Sequence, residues 1–289
     1  MKKKLIIILI SLLILLILIY VSLLLIVNYH KHESQIPVFM YHDIIMDEYY
    51  QDKPDTISLS VFEKQLKYLK DNNYKTLTLD ELYDWKVNNK SIPEKSVVLT
   101  FDDGFYSFHY LVEPLLEKYN MHASCFIIGD ITKDITPEYN PEKYGTIGTD
   151  IINNHNEYTE YASHSYGLHK MEGNNKRIEV LTKKGLEEDF DNMLNIYDFK
   201  YLSYPFNTDT KEAREVLKEK GYKLAFRGES EKVTKSANNY QIPRIGAYND
   251  YQRFVNVLET DEKNNRYGNG LLRKVMITIE RKLGKRLFK

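Results

Sequence analysis

Cysteine is almost absent from the sequence, which has one, Cys125, among its 289 residues. A single thiol excludes an internal disulfide, and no cysteine follows the N-terminal apolar run closely enough to suggest a lipid anchor. Cys125 lies in an apolar stretch and is interpreted as a small core residue. The sequence also lacks a Gly-x-Ser-x-Gly motif, which disfavours serine catalysis, and it shows no internal repeat.

An excess of charge of one sign is also missing, because the formal net charge is −1. The charges are unevenly distributed, since residues 271–289 contain seven lysines or arginines and one glutamate. The apolar residues of this segment fall at helical spacing and predict a basic amphipathic C-terminal helix. The favoured interpretation is that this helix packs on its own domain. The alternative is that it lies on the anionic outer face of the membrane or on an acidic wall polymer. Apart from this segment and the three N-terminal lysines, the chain has more acidic than basic residues, so nucleic acid is not expected as a partner.

A long apolar run is present at the N-terminus, where residues 5–27 carry no charge. At 1.5 Å per helical residue this run can cross a hydrocarbon core of about 30 Å. Three lysines precede it, so the positive-inside rule predicts a cytoplasmic tail at 1–4, a transmembrane anchor at 5–27, a linker at 28–35 and an extracytoplasmic domain. A cleaved signal peptide is the alternative, although residues 27–30 offer no small-residue cleavage pattern. The predicted location is the cell membrane, with a single pass.

Strands and helices alternate through residues 36–270, which predicts an α/β domain with a parallel sheet wrapped by helices, open or closed into a barrel. Capping boxes predict helix starts at Ser60 and Thr78. Residues 130–158 lack firm periodicity and are predicted to form an insertion loop. The remaining expected elements are helices near 107–119, 183–195 and 210–220, and strands at 35–41, 97–101, 123–128, 161–164, 201–204 and 222–226.

Two adjacent acids and a glycine, Asp102, Asp103 and Gly104, end the apolar strand 97–101. Neighbouring side chains on a regular strand point to opposite faces, so the two acids share one site only if the chain turns there. Gly104 permits that turn. Carboxylates at the C-terminal edge of a buried strand suit metal binding or proton transfer. The alternative is a solvated turn in which Asp103 or Ser107 caps the next helix.

Two histidines, His164 and His169, lie five residues apart. On a regular helix this spacing separates them by about 140°, so a shared metal requires a loop, and Gly167 is expected to make that loop possible. Two histidines and one carboxylate leave coordination positions open for water and substrate, as in catalytic zinc sites. The alternative is a pair of surface histidines after a strand.

These motifs resemble the first two signatures of the polysaccharide deacetylases, the NodB-homology family of metal-dependent carbohydrate esterases. The resemblance implies a distorted (β/α) barrel. It implies that Asp103, His164 and His169 hold a divalent metal, zinc in the first place, with cobalt, nickel and manganese as alternatives. It also implies that Asp102 is the catalytic base.

Residues 37–42 are similar to the N-terminal strand that supplies the general acid in the poly-β-1,6-N-acetylglucosamine deacetylase branch, which makes His42 the candidate acid. A structural histidine at a strand end is the alternative. The chain has no histidine after His169 and no Leu-x-His near its C-terminus, where other members of the family carry their acid.

The third family motif corresponds to residues 203–207, without its usual opening arginine. By this resemblance the backbone N–H of Phe206 donates to the oxyanion, and a backbone group does not depend on the exchange of tyrosine for phenylalanine. Arg244 is a candidate to orient Asp102 through a bidentate ion pair. The fourth motif, an Asp pair near a tryptophan, is not found, since Trp85 lies too early in the chain.

The predicted function is therefore metal-dependent removal of acetyl groups from N-acetylglucosamine units of a cell-surface polysaccharide. The five-residue histidine spacing favours poly-β-1,6-N-acetylglucosamine, with peptidoglycan next. A glycosidase is disfavoured because its two carboxylates need a separation that adjacent residues rarely give. The weakened third motif leaves an alternative from another class, an inactive membrane-tethered carbohydrate-binding protein.

Overall fold

The computed structural model describes residues 2–31 and 35–259. Its first unit contains one long helix, α1 (Lys2–Lys31). The segment Ile6–Leu23 of this helix is long and apolar enough to cross a membrane, and a signal sequence near an N-terminus has the same properties. The helix continues beyond residue 27 into the first part of the predicted linker.

The second unit, Ile36–Glu259, contains the remaining described elements. Its helices are α2 (Leu59–Asp71), α3 (Leu79–Val87), α4 (Glu113–Tyr119), α5 (Thr149–Ile152), α6 (Arg177–Val180), α7 (Lys183–Leu194), α8 (Lys211–Glu219) and α9 (Tyr251–Glu259). The strands, of which the first begins one residue before this unit, are β1 (Gln35–Ile36), β2 (Val38–Tyr41), β3 (Asp43–Ile45), β4 (Thr56–Ser58), β5 (Lys75–Thr76), β6 (Ser96–Phe101), β7 (Ala123–Ile127), β8 (Thr159–Ser163), β9 (Met171–Glu172), β10 (Asn175–Lys176), β11 (Tyr201–Ser203), β12 (Leu224–Gly228), β13 (Val233–Thr234) and β14 (Ile242–Gly246). The predicted C-terminal helix at 271–289 and residues 260–270 lie outside the described residues.

Seven parallel strands form a closed barrel, in the order β2, β14, β12, β11, β8, β7 and β6. The ring closes because β2 pairs with β14 on one side and with β6 on the other. The short strand β5 adds to the beginning of β6. The expectation of an α/β barrel is confirmed, and a parallel arrangement places all the strand C-termini at one rim.

Alternate residues of β6 face the barrel interior and the surrounding helices. Phe101 packs edge-to-face against Phe62 of α2 and Phe108, at 5.6 and 5.0 Å between ring centroids. Thr100 points inward, where its hydroxyl oxygen accepts a hydrogen bond from the Arg244 guanidinium. All six residues of the strand are buried, as expected for a strand covered on both faces. This alternation continues past the strand end and directs Asp102 inward.

One of the two predicted capping boxes is confirmed. At the start of α3, the Thr78 hydroxyl accepts from the Glu81 N–H (3.0 Å) and the Glu81 carboxylate accepts from the Thr78 N–H (2.8 Å). The prediction at Ser60 is wrong, because β4 leads directly into a helix that begins at Leu59. The Ser60 hydroxyl and N–H donate instead to the Asp47 carboxylate.

The predicted helix 107–119 is divided into a π-helical segment, Phe108–Val112, and the regular helix α4. Pro114 lies at the junction and has no N–H to continue the regular hydrogen-bond ladder, so the wider turn precedes it. The insertion at 130–158 contains the short helix α5 and is joined to the turn after β6 through a bridge between Phe105 and Thr146.

Candidate active site

A cavity of about 470 Å³ opens at the rim where the barrel strands end. Its walls come from the loops after β2, β6, β8 and β11, so residues far apart in the sequence meet there. Six of the seven predicted site residues line this cavity: His42, Asp102, Asp103, His164, His169 and Phe206. The seventh, Arg244, lies beneath it on β14 and is fully buried.

Asp103 and the two predicted histidines form one cluster. The Asp103 Oδ1 atom lies 3.3 Å from His164 Nε2 and 3.5 Å from His169 Nε2, and the three candidate ligand atoms all lie within 4.8 Å of one another. The turn that brings Asp103 here uses positive φ angles at both Asp103 (74°) and Gly104 (68°). The adjacent acids therefore face one cavity because the chain turns at Asp103, two residues after β6 ends.

The donor set of this cluster fits a divalent cation. The Ser203 carbonyl oxygen can only accept, so His164 Nδ1 donates to it (2.8 Å) and the neutral ring has its lone pair at Nε2. That lone pair faces Asp103 Oδ1, a buried oxygen with no hydrogen-bond partner among the described residues. Two lone pairs directed at each other repel unless a proton or a cation lies between them. The imidazole of His169 is a further possible ligand, and two histidines with one carboxylate form a ligand set that is found in catalytic zinc sites.

The loop between the histidines has a different cause from the one predicted. Gly167 does not have a positive φ, and the left-handed residue is Ser165, at 69°. Ser165 holds this conformation because its N–H donates to Ser163 Oγ (3.0 Å) and its own hydroxyl accepts from the Leu168 N–H (3.2 Å). The buried carboxylate of Asp189 on α7 accepts the N–H groups of Tyr166 (2.9 Å) and Gly167 (2.7 Å).

Asp102 is held by a buried network. Arg244 donates from Nη1 to Asp102 Oδ1 (2.7 Å) and from Nη2 to Oδ2 (2.6 Å), which is the predicted bidentate geometry. The Ser203 hydroxyl also donates to Asp102 Oδ2 (3.1 Å). Burial alone would raise the pKa of Asp102, but the Arg244 guanidinium outweighs it and holds that pKa well below its usual range. Asp102 is therefore ionised throughout the physiological pH range.

His42 reaches the cavity from the end of β2. Its side chain is 17% exposed, and its Nδ1 atom lies 3.9 Å from Asp55 Oδ1. The next residue, Asp43, also lines the cavity and accepts a hydrogen bond from the Ser107 hydroxyl (2.5 Å). Burial raises the pKa of Asp43. Both side chains line the same cavity as the cluster.

Phe206 lies in a tight turn, Pro205–Asn207, directly after β11. Phe206 and Asn207 both have positive φ angles, at 55° and 53°. An aromatic residue rarely adopts this conformation, and such strain, which costs about 1–3 kcal/mol, occurs mainly at functional sites. The turn is fixed by Asn207 Oδ1, which accepts from the Gly228 N–H (2.7 Å). The Phe206 ring packs on the His169 ring, at 4.3 Å between centroids.

Sequence reasoning missed three residues that complete the site: Ser203, Asp43 and Asp189. Ser203 had a usable signal, because it is the last residue of a strand that leads into the third motif. Asp43 also had a usable signal, because it is an acid directly after His42, a predicted site residue at the end of a strand. Asp189 had none, since it is one of several acids on an amphipathic helix.

A closed parallel barrel with a buried acid beside an Asp-His-His cluster at its C-terminal rim defines a hydrolase of the NodB-homology type. The family model for polysaccharide deacetylase matches residues 89–225. The poly-β-1,6-N-acetyl-D-glucosamine N-deacetylase of Staphylococcus aureus is 30% identical over 210 residues, which cover 66% of this chain and 67% of that protein. The chain therefore belongs to the polysaccharide deacetylase family, and it is an enzyme of the carbohydrate esterase type.

Solved structures show the same fold. The deacetylase PplD of Streptococcus pyogenes, in complex with acetate, aligns with a TM-score of 0.66 at 19% identity and covers 79% of this chain and 100% of its own. IcaB from Ammonifex degensii aligns with a TM-score of 0.64 at 21% identity and covers 78% of this chain and 96% of its own.

Proposed function

We propose that this protein is a membrane-anchored, metal-dependent deacetylase that removes acetyl groups from N-acetylglucosamine units of an extracellular poly-β-1,6-linked polysaccharide. The observation that carries the proposal is the cluster of Asp103, His164 and His169 beside the ionised Asp102. Carbohydrate binding alone needs no base next to a metal site, so this arrangement argues for turnover rather than for an inactive binding protein.

In this proposal Asp103 and the two histidines hold the cation, and Asp102 accepts the proton of the attacking water. A bound divalent cation supplies a Lewis acid, which lowers the pKa of a water and polarises the acetamide carbonyl. Arg244 and Ser203 leave the Asp102 carboxylate little freedom to rotate, so it is already oriented for proton transfer.

Two further groups act on the substrate. By the resemblance of residues 203–207 to the third family motif, the Phe206 N–H donates to the carbonyl oxygen as negative charge develops there. The next two amides, of Asn207 and Thr208, already donate to the Tyr204 and Pro205 carbonyls. His42 gives a proton to the departing sugar nitrogen, and its Nδ1 atom lies 3.9 Å from Asp55 Oδ1. The C–N bond breaks, and acetate and a glucosamine unit are released.

The choice of substrate rests on two observations. The Staphylococcus aureus relative is named for poly-β-1,6-N-acetyl-D-glucosamine, and the five-residue spacing of His164 and His169 resembles that branch of the family. The apolar helix α1, preceded by lysines, supports a membrane anchor that places the barrel outside the cytoplasm, where such a polymer lies.

The test is acetate release by the full chain, purified in detergent and loaded with Zn²⁺ or Co²⁺. We expect release from β-1,6-linked N-acetylglucosamine oligomers in preference to β-1,4-linked oligomers and peptidoglycan fragments. Asp102→Asn should keep the metal and lose turnover. Preference for peptidoglycan fragments would contradict the proposed substrate, and no release with any metal or linkage would favour the binding protein.

A further inference from the structure

The insertion at 130–158 is held firmly against the turn that carries Asp103. The Tyr106 hydroxyl lies within hydrogen-bond distance of the carbonyl oxygens of Asn140 and Lys143 and donates its one hydrogen there, and the Tyr106 N–H donates to the Gly145 carbonyl (2.9 Å). The Ile147 N–H donates to the Gly104 carbonyl (2.9 Å). These bonds fix residues 140–147 relative to the turn at Asp103 and Gly104. This part of the insertion, the wall at 140–147, therefore has a defined position beside the site.

Three tyrosine rings that pack at tilted and edge-to-face angles support this wall. Tyr139 contacts the rings of Tyr106 and Tyr110, at 5.1 and 5.4 Å between centroids. The Tyr110 hydroxyl donates to the Pro137 carbonyl (3.1 Å). Gly145 lies flat on the Tyr106 ring, where a Cβ atom would have no room. The backbone around residue 144 is therefore positioned by contacts that the catalytic residues do not make.

Tyr144 projects from this wall beside the cleft and is 66% exposed. Its ring meets that of Phe105 nearly at a right angle (78°), with 5.4 Å between centroids. Phe105 lines the catalytic cavity, whereas Tyr144 lies outside its lining. Partial burial, and then the nearby carboxylates of Asp103 and Asp43, raises the pKa of Tyr144 to about 12, so the ring remains neutral.

We propose that Phe105 and Tyr144 form a sugar-binding corner for the hexosamine unit next to the one that is deacetylated. The inference rests on the proposed function, since it assumes a linear glycan whose reacting unit occupies the metal cleft. A glycan chain must leave that cleft through its rim, and two apolar faces at a right angle can cover one face and one edge of a pyranose ring. An exposed aromatic ring fixed beside an active site gains stabilisation from such contact by losing apolar surface to solvent.

Tyr144 lies outside the lining of the metal cleft, so only a substrate that extends beyond the reacting unit reaches the corner. The corner therefore contributes to the binding of hexosamine chains and not to that of the free monosaccharide.

The experiment measures binding separately from turnover. A β-1,6-linked N-acetylglucosamine pentasaccharide and the free monosaccharide are titrated into the zinc-loaded full chain carrying Asp102→Asn, with and without Tyr144→Ala. We expect Tyr144→Ala to weaken pentasaccharide binding about tenfold and to leave monosaccharide binding unchanged. Tyr144→Phe, which keeps the ring, should bind the pentasaccharide within about twofold of the parent.

Tyr197→Ala is the matched control, because Tyr197 is also exposed (41%) but lies before β11, at the opposite end of the barrel. It should change neither titration. Equal pentasaccharide affinity with and without the Tyr144 ring, or no pentasaccharide binding to the parent, would overturn the inference. Acetate release by the zinc-loaded wild-type chain is measured in parallel, and its absence would contradict the proposed function alone.

Discussion

At the residue scale, the central feature is the buried ion pair between Arg244 and Asp102. Arg244 is completely buried, and its planar fork donates to both carboxylate oxygens while Ser203 and Thr100 receive further bonds. A buried charge is tolerated only when it is paired and hydrogen-bonded, and this pair meets that condition. The same contacts keep Asp102, the proposed base, ionised and oriented, so they connect the packing of the barrel interior to the proposed chemistry.

Replacing Arg244 by lysine should disable the base without removing the metal. Lysine keeps the charge but cannot donate to both Asp102 oxygens in the fork geometry, so we expect kcat/KM to fall by about a hundredfold. The weaker pairing should raise the pKa of Asp102, so the loss of activity on acidification should begin at a higher pH than in the wild type. The measurement is the pH profile of acetate release.

Arg253→Lys is the control for that substitution, since Arg253 is an exposed arginine that stacks on Tyr248 at 3.8 Å. It should leave the profile unchanged. An Arg244→Lys enzyme with wild-type activity and an unshifted acidic limb would show that Arg244 does not orient the base.

Replacing His42 by asparagine tests the proposed acid. General acid catalysis contributes about 10²–10⁴ in rate, so kcat should fall by about a hundredfold or more while the metal content stays the same. His155→Asn serves as the control, because His155 Nδ1 pairs with the Ile152 carbonyl outside the cleft. Unchanged kcat in His42→Asn would assign the histidine a structural role.

At the element scale, the loop from β8 to His169 shows how an outer helix positions a proposed metal ligand. Asp189 on α7 accepts hydrogen bonds from two consecutive N–H groups of this loop. The Ser163 and Ser165 hydroxyl oxygens accept two more, from the N–H groups of Ser165 and Leu168. The loop is therefore set by hydrogen bonds and not by glycine freedom. A change on α7 should then reach the metal through the backbone.

Asp189→Asn should weaken metal binding. An amide oxygen can replace only one of the two carboxylate acceptors, so one loop N–H loses its partner and His169 loses part of its support. Outer-shell substitutions commonly cost 10- to 100-fold in metal affinity, and we expect about that loss in a zinc competition titration.

The control for this prediction is Asp191→Asn on the same helix, where Asp191 is half exposed and pairs with Lys220. It should leave the affinity unchanged. Identical zinc affinity in Asp189→Asn and the wild type would show that the loop keeps its shape without the carboxylate.

Elements could be predicted from the sequence where their signals are local. Thr78 and Glu81 lie three residues apart and form the capping box that the sequence indicates. Ser60 carries the same signal, but the preceding strand β4 fixes an earlier helix start. The wall at 140–147 was not predictable as a wall, because it depends on bonds from Tyr106, over thirty residues earlier in the chain.

At the scale of the whole molecule, the barrel explains why residues scattered from 42 to 244 meet. Parallel strands deliver each motif to the same rim, so the alternation of strands and helices was sufficient to predict the class of fold. Closure of the ring between β2 and β6 did not follow from the alternation alone, since open and closed sheets share it, and only the family resemblance implied a barrel. The role of Ser203 in binding both His164 and Arg244 likewise depends on the three-dimensional neighbourhood of β11.

The proposed arrangement in the cell makes a separate prediction. If α1 spans the membrane with its lysines inside, the chain should sediment with membranes after a high-salt wash, and protease added to intact protoplasts should digest the barrel. Recovery in the soluble fraction, with α1 removed, would instead identify α1 as a cleaved signal sequence.

The most direct test of the account is to measure bound metal and acetate release in the same samples. The wild-type chain loaded with zinc should contain about one ion per molecule, lose both ion and activity to a chelator, and regain both on addition of Zn²⁺ or Co²⁺. His164→Ala should bind no stoichiometric metal and release no acetate. Full acetate release from metal-free wild-type protein, or from His164→Ala, would contradict the claim that Asp103, His164 and His169 form the catalytic metal site.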